Sequence, residues 1–365
     1  MKFYKKIVFF WFITAACSGF AQNTLDNLGL TSSTPAAVAY SLRQLSSSYL
    51  GNAIQVRRSS DDATQDIGFD VNGELDTTTL LAFVGSNDGF VTIWYDQSGN
   101  NRDMVKLDIN YQPKIVFSGA FKYIGGKVAI DFSGNKGLVY SGTLNLKSIS
   151  TVIQSESTSW PNYHCILDGS PRIGGLLQSG GTNFHSNVYP LAIWKDGISK
   201  TTAESLSPVN QAMVLSISPQ IQNTSKIFIG NYDGGNGGGS ILESEAIAFS
   251  TLLPSNVRLS IECNQGSYYG ITMTSCITSI ATNISTTDYY ACVGKVAIPL
   301  SVQASGLNLT YQWYSNSTSS TSGGIAISGA TSTTFIPPSA SVGTTYYYVI
   351  VSGSDGPAVT SDVSG

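Results

Sequence analysis

The sequence predicts an all-β protein built as two β-sandwiches in series, and three observations carry that prediction. Short runs of β-branched and aromatic residues recur between turns rich in Gly, Asn and Ser. No strand alternates with a long amphipathic helix, and no Gly-rich phosphate fingerprint follows a strand, so a βαβ architecture and a nucleotide site are not expected. Charged residues make up only 12% of the 365 residues, against 37 glycines and 19 tyrosines, a balance of loop-rich extracellular β-proteins rather than helical enzymes. The length suits one large all-β domain followed by a smaller one.

Taken in order, Lys2, Lys5 and Lys6 precede the apolar run Ile7 to Ala16 and the small residues that end at Gly19-Phe20-Ala21. This is the layout of a secretory signal, so 1–21 reads as a signal peptide and the expected location is secreted or at the cell surface. The run is short for a membrane span. Thr14-Ala15-Ala16-Cys17 also loosely resembles a lipoprotein processing site, with Thr14 where an aliphatic residue is usual. Between Ala36 and Leu50, Val38, Leu42, Leu45 and Tyr49 are compatible with a short helix. Ile54-Gln55-Val56 alternates as a strand. Asp76 is placed to cap a short helix within Glu74 to Val84. Phe90 to Tyr95 reads as a strand closed by turn residues Asp96 to Asn100. Further strands are expected at Lys127 to Phe132, Ser150 to Ser155, Ala192 to Trp194, Ala212 to Ile217, Lys226 to Ile229 and Glu243 to Phe249, with a helical turn at Arg258 to Glu262. The glycine run from Gly234 to Gly239 reads as a loop.

Four cysteines follow the signal: Cys165, Cys263, Cys276 and Cys292. Three pairings are open to them, and the short separation of Cys276 and Cys292 suits a local staple at the start of the second domain. No Cys-x-x-Cys or Cys/His cluster has zinc spacing, and His164 and His185 are the only histidines. No cofactor is expected, and calcium in the loops is left open. The net charge of −4 gives no basic footprint, which disfavours nucleic acid and polyanions in general.

The stretches AYSLR (from Ala39), QVRRSSDD (from Gln55) and YDQSGNNRD (from Tyr95) resemble the opening of the catalytic domain of arabinofuranosidase B-type enzymes. That resemblance implies a concanavalin A-like (jelly-roll) sandwich acting on arabinose-bearing plant polysaccharide. Leu253 to Ile271 resembles the close of laminin-G or concanavalin-like domains, which places the sandwich at 22–272. From Cys276 the composition shifts to Ser, Thr, Ala and Val. Leu309 to Tyr314 and Thr344 to Val349, with Pro337-Pro338 between them, resemble an immunoglobulin-like surface module over 277–365, with Trp313 in its core. Such modules act as spacers, and further surface modules are a possible partner.

Retaining glycoside hydrolysis needs two carboxyl groups, a nucleophile and an acid/base. In the family resembled, the acid/base is an Asp in a Gly/Asn-rich turn, and Ile229 to Asn236 fits that context with Asp233 as the candidate. The alternative is an ordinary Asp-Gly turn residue. The family's nucleophilic Glu follows adjacent cysteines. Here His164 to Asp168 and Ile173 to Gln178 offer one cysteine and no Glu, a rough alignment puts Gln178 at that position, and Asp168 is a weak nucleophile candidate that could substitute only with the loop geometry rebuilt. Glu243 and Glu245 alternate on a strand and are expected on a solvated face. Arg57, Arg58, Asp61 and Asp62 are expected to brace a loop. Sugar binding asks only for an exposed aromatic face and hydrogen-bonding turns, for which Trp160, Tyr232, Asn231 and Asn236 are candidates; Trp94 is expected in the core. The expected partner is therefore a polysaccharide or cell-surface glycan, engaged by binding more than by hydrolysis, with an active α-L-arabinofuranosidase as the alternative.

Overall fold

A computed structural model describes residues 35–160, 163–173, 175–185, 190–201, 203–220, 223–231, 241–273, 276, 278–306, 309–353 and 358–365. Seventeen of its strands form one antiparallel network folded into two layers. In the first layer Ile198–Lys200, Ala192–Lys195, Met213–Ser218, Ser148–Ser155 and Ile241–Phe249 lie side by side. The far edge of Ile241–Phe249 is shared by Val38–Ser41 and Lys127–Asp131. The second layer runs Thr64–Ile67, Ile54–Arg58, Gly89–Trp94, Met104–Val105, Gly137–Tyr140, Lys226–Gly230, His164–Ser170 and Leu176–Leu177. Lys114–Phe117 ties the layers together by pairing with Gly89–Trp94 on one side and Lys127–Asp131 on the other.

The core fills the space between the layers. Ile149, Ile153, Leu215, Ile217, Ala246 and Ala248 from the first meet Ile54, Val56, Leu138, Ile166, Ile227 and Ile229 from the second. Alternate residues of these strands face inward, as the two-residue repeat of a strand requires. The outer face of the first layer is apolar as well, because helix α2 (Ser255–Tyr268) covers it. Val152, Val214 and Leu242 pack there against Cys263 and Tyr269, while Ile247 and Phe249 pack against Ile261. Helix α1 (Thr77–Val84) begins as the sequence indicates, with the Asp76 carboxylate accepting from the Thr79 amide at 2.9 Å.

Two local expectations are overturned. Val38–Ser41 is a strand, not part of a helix, and its four residues face Ala248 to Glu245. Val38, Tyr40 and Leu42 supply alternating core contacts, and an exposed edge of a buried strand takes the backbone. Cys276 bonds to Cys263 across a separation of 13 residues, which pins the end of α2. Cys292 is an exposed free thiol and Cys165 a buried one.

From Ser279 onward the described strands pair only with one another. Thr310–Asn316 and Tyr346–Ser352 form the longest of these ladders, with Trp313 opposite Val349. Trp313 is fully buried, stacks on Phe335 at 5.5 Å and donates its indole N–H to Ser332 O at 2.8 Å.

Candidate functional site

Helix α2 covers the first layer, and the candidate site residues Asp168 and Asn231 fall on the second. Cross-strand register sets its residues in rows. Asp168, Phe228 and Val139 lie directly opposite one another, with Val105 next to Val139, and the neighbouring row is Cys165, Gly230 and Gly137. Gly230 has φ of 87°, and a Cβ there would stand 2.5 Å from Lys136 O and 2.6 Å from the Phe132 ring, so only glycine fits. The Asn231 amide then donates to Lys136 O at 2.7 Å. The chain leaves the sheet at this point. Tyr232, Asp233 and Asn236 follow, and they lie outside the described residues. Asn231 lines a shallow cleft with Lys106, Val139, Ser141, Lys226 and Phe228.

Asp168 sits on this face but is buried, 1% exposed. Its Oδ1 accepts from the amides of Gly169 (2.9 Å) and Ile173 (2.7 Å), and its Oδ2 accepts from Arg172 Nη1 at 3.1 Å. Each oxygen therefore holds the turn that follows the strand. A nucleophile needs a carboxylate turned toward the substrate, whereas the Asp168 geometry is that of a brace. Arg172 also approaches Cys165 Sγ at 4.0 Å, and burial pushes that thiol well above its usual range. The His185 ring packs on Tyr163 at 5.3 Å, its pKa lowered first by burial and then by Arg172. Trp160 departs from the expectation of an exposed platform. It is fully buried in the core between the layers, and its backbone N–H donates to Gly181 O while its carbonyl accepts from the Gly180 amide, both at 2.7 Å. Its ring offers no face to a sugar.

The two glutamates of Ile241–Phe249 are corrected most sharply. Register jumps there: Val152 faces Glu245, but Ile153 faces Glu243, so Ser244 is the extra residue of a β-bulge. The bulge turns what would be one face into two. Glu243 points into the sandwich, where Thr151 Oγ1 donates to its Oε1 at 2.7 Å and its Oε2 lies 3.3 Å from His164 Nε2. Glu245 points outward beneath α2, where Arg43 clamps it through Nε (2.8 Å) and Nη2 (3.0 Å), with Ser41 and Gln265 as further donors. Both carboxyls have no solvent exposure. Burial lifts the Glu243 carboxyl well above its ordinary value and lowers His164 from 6.5 to about 3, so a neutral acid faces a neutral imidazole.

Arg43 also lies over the Tyr268 ring at 4.2 Å and donates to Asn264 Oδ1 at 2.9 Å. It thereby ties the AYSLR segment to α2. The other residues of the opening block act likewise. Arg57 pairs with Asp62 and Arg58 with Asp61, both at 2.6 Å. Asp96 accepts from the amides of Ala39 (2.9 Å), Ser98 (3.0 Å) and Arg102 (3.1 Å). The pairing of Glu243 with His164 was missed in the sequence. Its available signal was two glutamates inside a nine-residue strand that is apolar but for them and Ser244, since a carboxyl in a doubly covered strand needs a buried partner. Among the described residues, no group of three or more His, Cys, Asp or Glu side chains is placed to hold a metal.

The fold defines a two-layer β-sandwich by shape; kinship comes from comparison. Residues 28–119, about a quarter of the chain, match the family described as alpha-L-arabinofuranosidase B, catalytic. That stretch holds the bracing block and ends before Asp168, Glu243 and Glu245. Three solved arabinofuranosidase structures are similar. A GH54 α-L-arabinofuranosidase soaked with 4-nitrophenyl α-L-arabinofuranoside and an arabinofuranosidase complexed with arabinofuranosyl-α-1,2-xylobiose each show 16% identity, cover 78% of this chain and 74% of their own, and have a TM-score of 0.44. A GH54 enzyme soaked with a cyclic sulfate inhibitor shows 14% identity over the same shares, with a TM-score of 0.45. A search of curated proteins finds no match to this chain.

Proposed function

We propose that this is a secreted or surface-displayed protein that binds arabinose-containing glycan through the outer face of its second layer, with the residues after Ser279 serving as an immunoglobulin-like spacer. The observation that carries the reading is the state of Asp168. A retaining hydrolase needs two carboxyl groups about 5 Å apart, and the one Asp in the expected nucleophile neighbourhood spends its oxygens on Gly169, Arg172 and Ile173. Glu243 and Glu245 are likewise committed, one to Thr151 and His164 inside the sandwich and the other to Arg43 beneath α2. Binding requires none of them. Asn231 lines the cleft on this face and supplies an amide suited to sugar hydroxyls.

The match of residues 28–119 to a catalytic family favours a second reading, an active α-L-arabinofuranosidase with Asp233 as acid/base. One experiment separates the two. The full chain is assayed for release of 4-nitrophenol from 4-nitrophenyl α-L-arabinofuranoside and for retardation in gels containing arabinan. Binding without turnover, weakened by Tyr232→Ala, is the expected result. Turnover abolished by Asp233→Asn would establish the enzyme and overturn the binding-only reading, and absence of both would leave a structural module.

A further inference from the structure

The cleft on the outer face of the second layer has a chemical character that the chain as a whole lacks. Lys106 and Lys226 both line it. Its floor is Val139 and Phe228, which lie directly opposite each other on neighbouring strands. Ser141 follows Tyr140, whose partner across the ladder is Ile227, so its hydroxyl is carried beside Lys226 at one end of the cleft. Asn231 closes the other end. Two ammonium groups, a hydroxyl, an amide and an apolar strip are thus brought together by three separate segments of a protein with a net charge of −4. The next cation along this edge, Lys136, belongs to the same region through its carbonyl, which accepts from Asn231. Its ammonium is depressed by burial first, and then by Lys114 and Arg57, with Asp108 acting in the opposite sense.

We propose that this cleft receives an anionic sugar residue, its carboxylate or sulfate held between Lys106 and Lys226, its hydroxyls met by Ser141 and Asn231, and its C–H face laid against Val139. The inference rests on the glycan-binding reading and specifies the ligand: an acidic saccharide, not a neutral arabinan alone. Charge-assisted hydrogen bonds from ammonium to carboxylate or sulfate are stronger than neutral ones, and a low-dielectric floor strengthens them further. The anion adds to, or exchanges with, the contacts these lysines already make. The net negative charge that disfavours polyanions at long range also makes the site selective, since only a ligand that reaches the cleft gains attraction.

The test uses the full chain and three polymers: polygalacturonate for carboxylate, dextran sulfate for sulfate, and neutral arabinan. Affinity electrophoresis at low and moderate salt should show retention on at least one acidic polymer that weakens as salt rises. Lys106→Gln/Lys226→Gln should weaken that retention on the order of tenfold and flatten its salt dependence, with each single change costing about threefold. Lys200→Gln, on the hairpin of the other layer, is the control and should leave retention unchanged. Retention on polygalacturonate assigns a uronate, and retention on dextran sulfate alone assigns a sulfated sugar; either supports the site. Arabinan binding with no gain on either acidic polymer, or a double variant that binds them like the parent, overturns the inference while the glycan-binding reading stands. Loss of retention on all three polymers removes both.

Discussion

Replacing Glu243 by Gln should abolish most of the alkaline slope of this protein's stability profile. The reasoning starts from the two shifts inside the sandwich: the Glu243 carboxyl is lifted well above 4.5 by burial, and the His164 imidazole is lowered from 6.5 to about 3 by burial. In the unfolded chain both groups return to their ordinary values. Between pH 4.5 and 6.5 unfolding releases a proton from Glu243 and takes one up on His164, so the pair contributes no slope. Above 6.5 only the carboxyl counts. The native state keeps a proton that the unfolded chain has lost, so stability falls as pH rises, on the order of 1 kcal/mol per unit, until the buried carboxyl itself ionises. Below 4.5 only the imidazole counts, and stability falls with acid because the unfolded chain alone is protonated. A Gln at 243 keeps the acceptor for Thr151 and offers an N–H to His164, so the neutral contacts survive while the titration disappears. Urea unfolding followed by far-ultraviolet circular dichroism at pH 6, 7 and 8 is the assay. The advantage of Glu243→Gln over the parent should widen from each pH to the next, by up to about 1.4 kcal/mol per unit. Two parallel profiles would refute the argument, because they would mean that Glu243 is already ionised in the folded protein and faces a protonated His164.

Other outcomes follow from the same geometry. Glu245→Leu leaves the Arg43 guanidinium buried without its carboxylate and should cost about 3 to 5 kcal/mol in urea unfolding, much of it recovered in Arg43→Met/Glu245→Leu. Gly230→Ala forces a Cβ onto Lys136 O at a φ of 87°, and a loss of about 2 kcal/mol or more should appear as a lowered unfolding midpoint. Cys263→Ser/Cys276→Ser should cost about 3 kcal/mol by removing a 13-residue tether, read as a lowered melting temperature under non-reducing conditions. Asp168→Asn should destabilise the turn through Arg172 and Ile173 by about 1 to 3 kcal/mol, and its signature is a thermal shift without any change in arabinan retention.

How far the sequence could be read differs between fold and site for physical reasons. Period-two runs such as Met213–Ser218 and Lys226–Gly230 announce themselves because alternate side chains must reach the core, and Asp76 announces α1 because a helix start needs an acceptor for its free amides. Arg57, Arg58, Asp61 and Asp62 were legible as braces because all four lie within six residues of one another. Val38–Ser41 was not, since its conformation is imposed by Ala248 to Glu245, roughly two hundred residues away. Trp160 shows the limit of reading a polar neighbourhood as exposure: its flanking residues are turn-like, yet the ring is drawn into the core.

By itself the sequence determined the all-β class, several of the strands and the opening block that resembles arabinofuranosidase B-type domains, because these depend on local periodicity and on residues close together in the chain. Tertiary structure alone decided what the carboxylates do. One extra residue at Ser244 sends Glu243 inward to His164 and Glu245 outward to Arg43, and a strand's two-residue repeat cannot reveal a bulge that is created by register against its neighbour. The same holds for the cleft of Lys106 and Lys226, which are 120 positions apart and line it together because the intervening strand Gly137–Tyr140 pairs with Lys226–Gly230 and with Met104–Val105, which Lys106 follows.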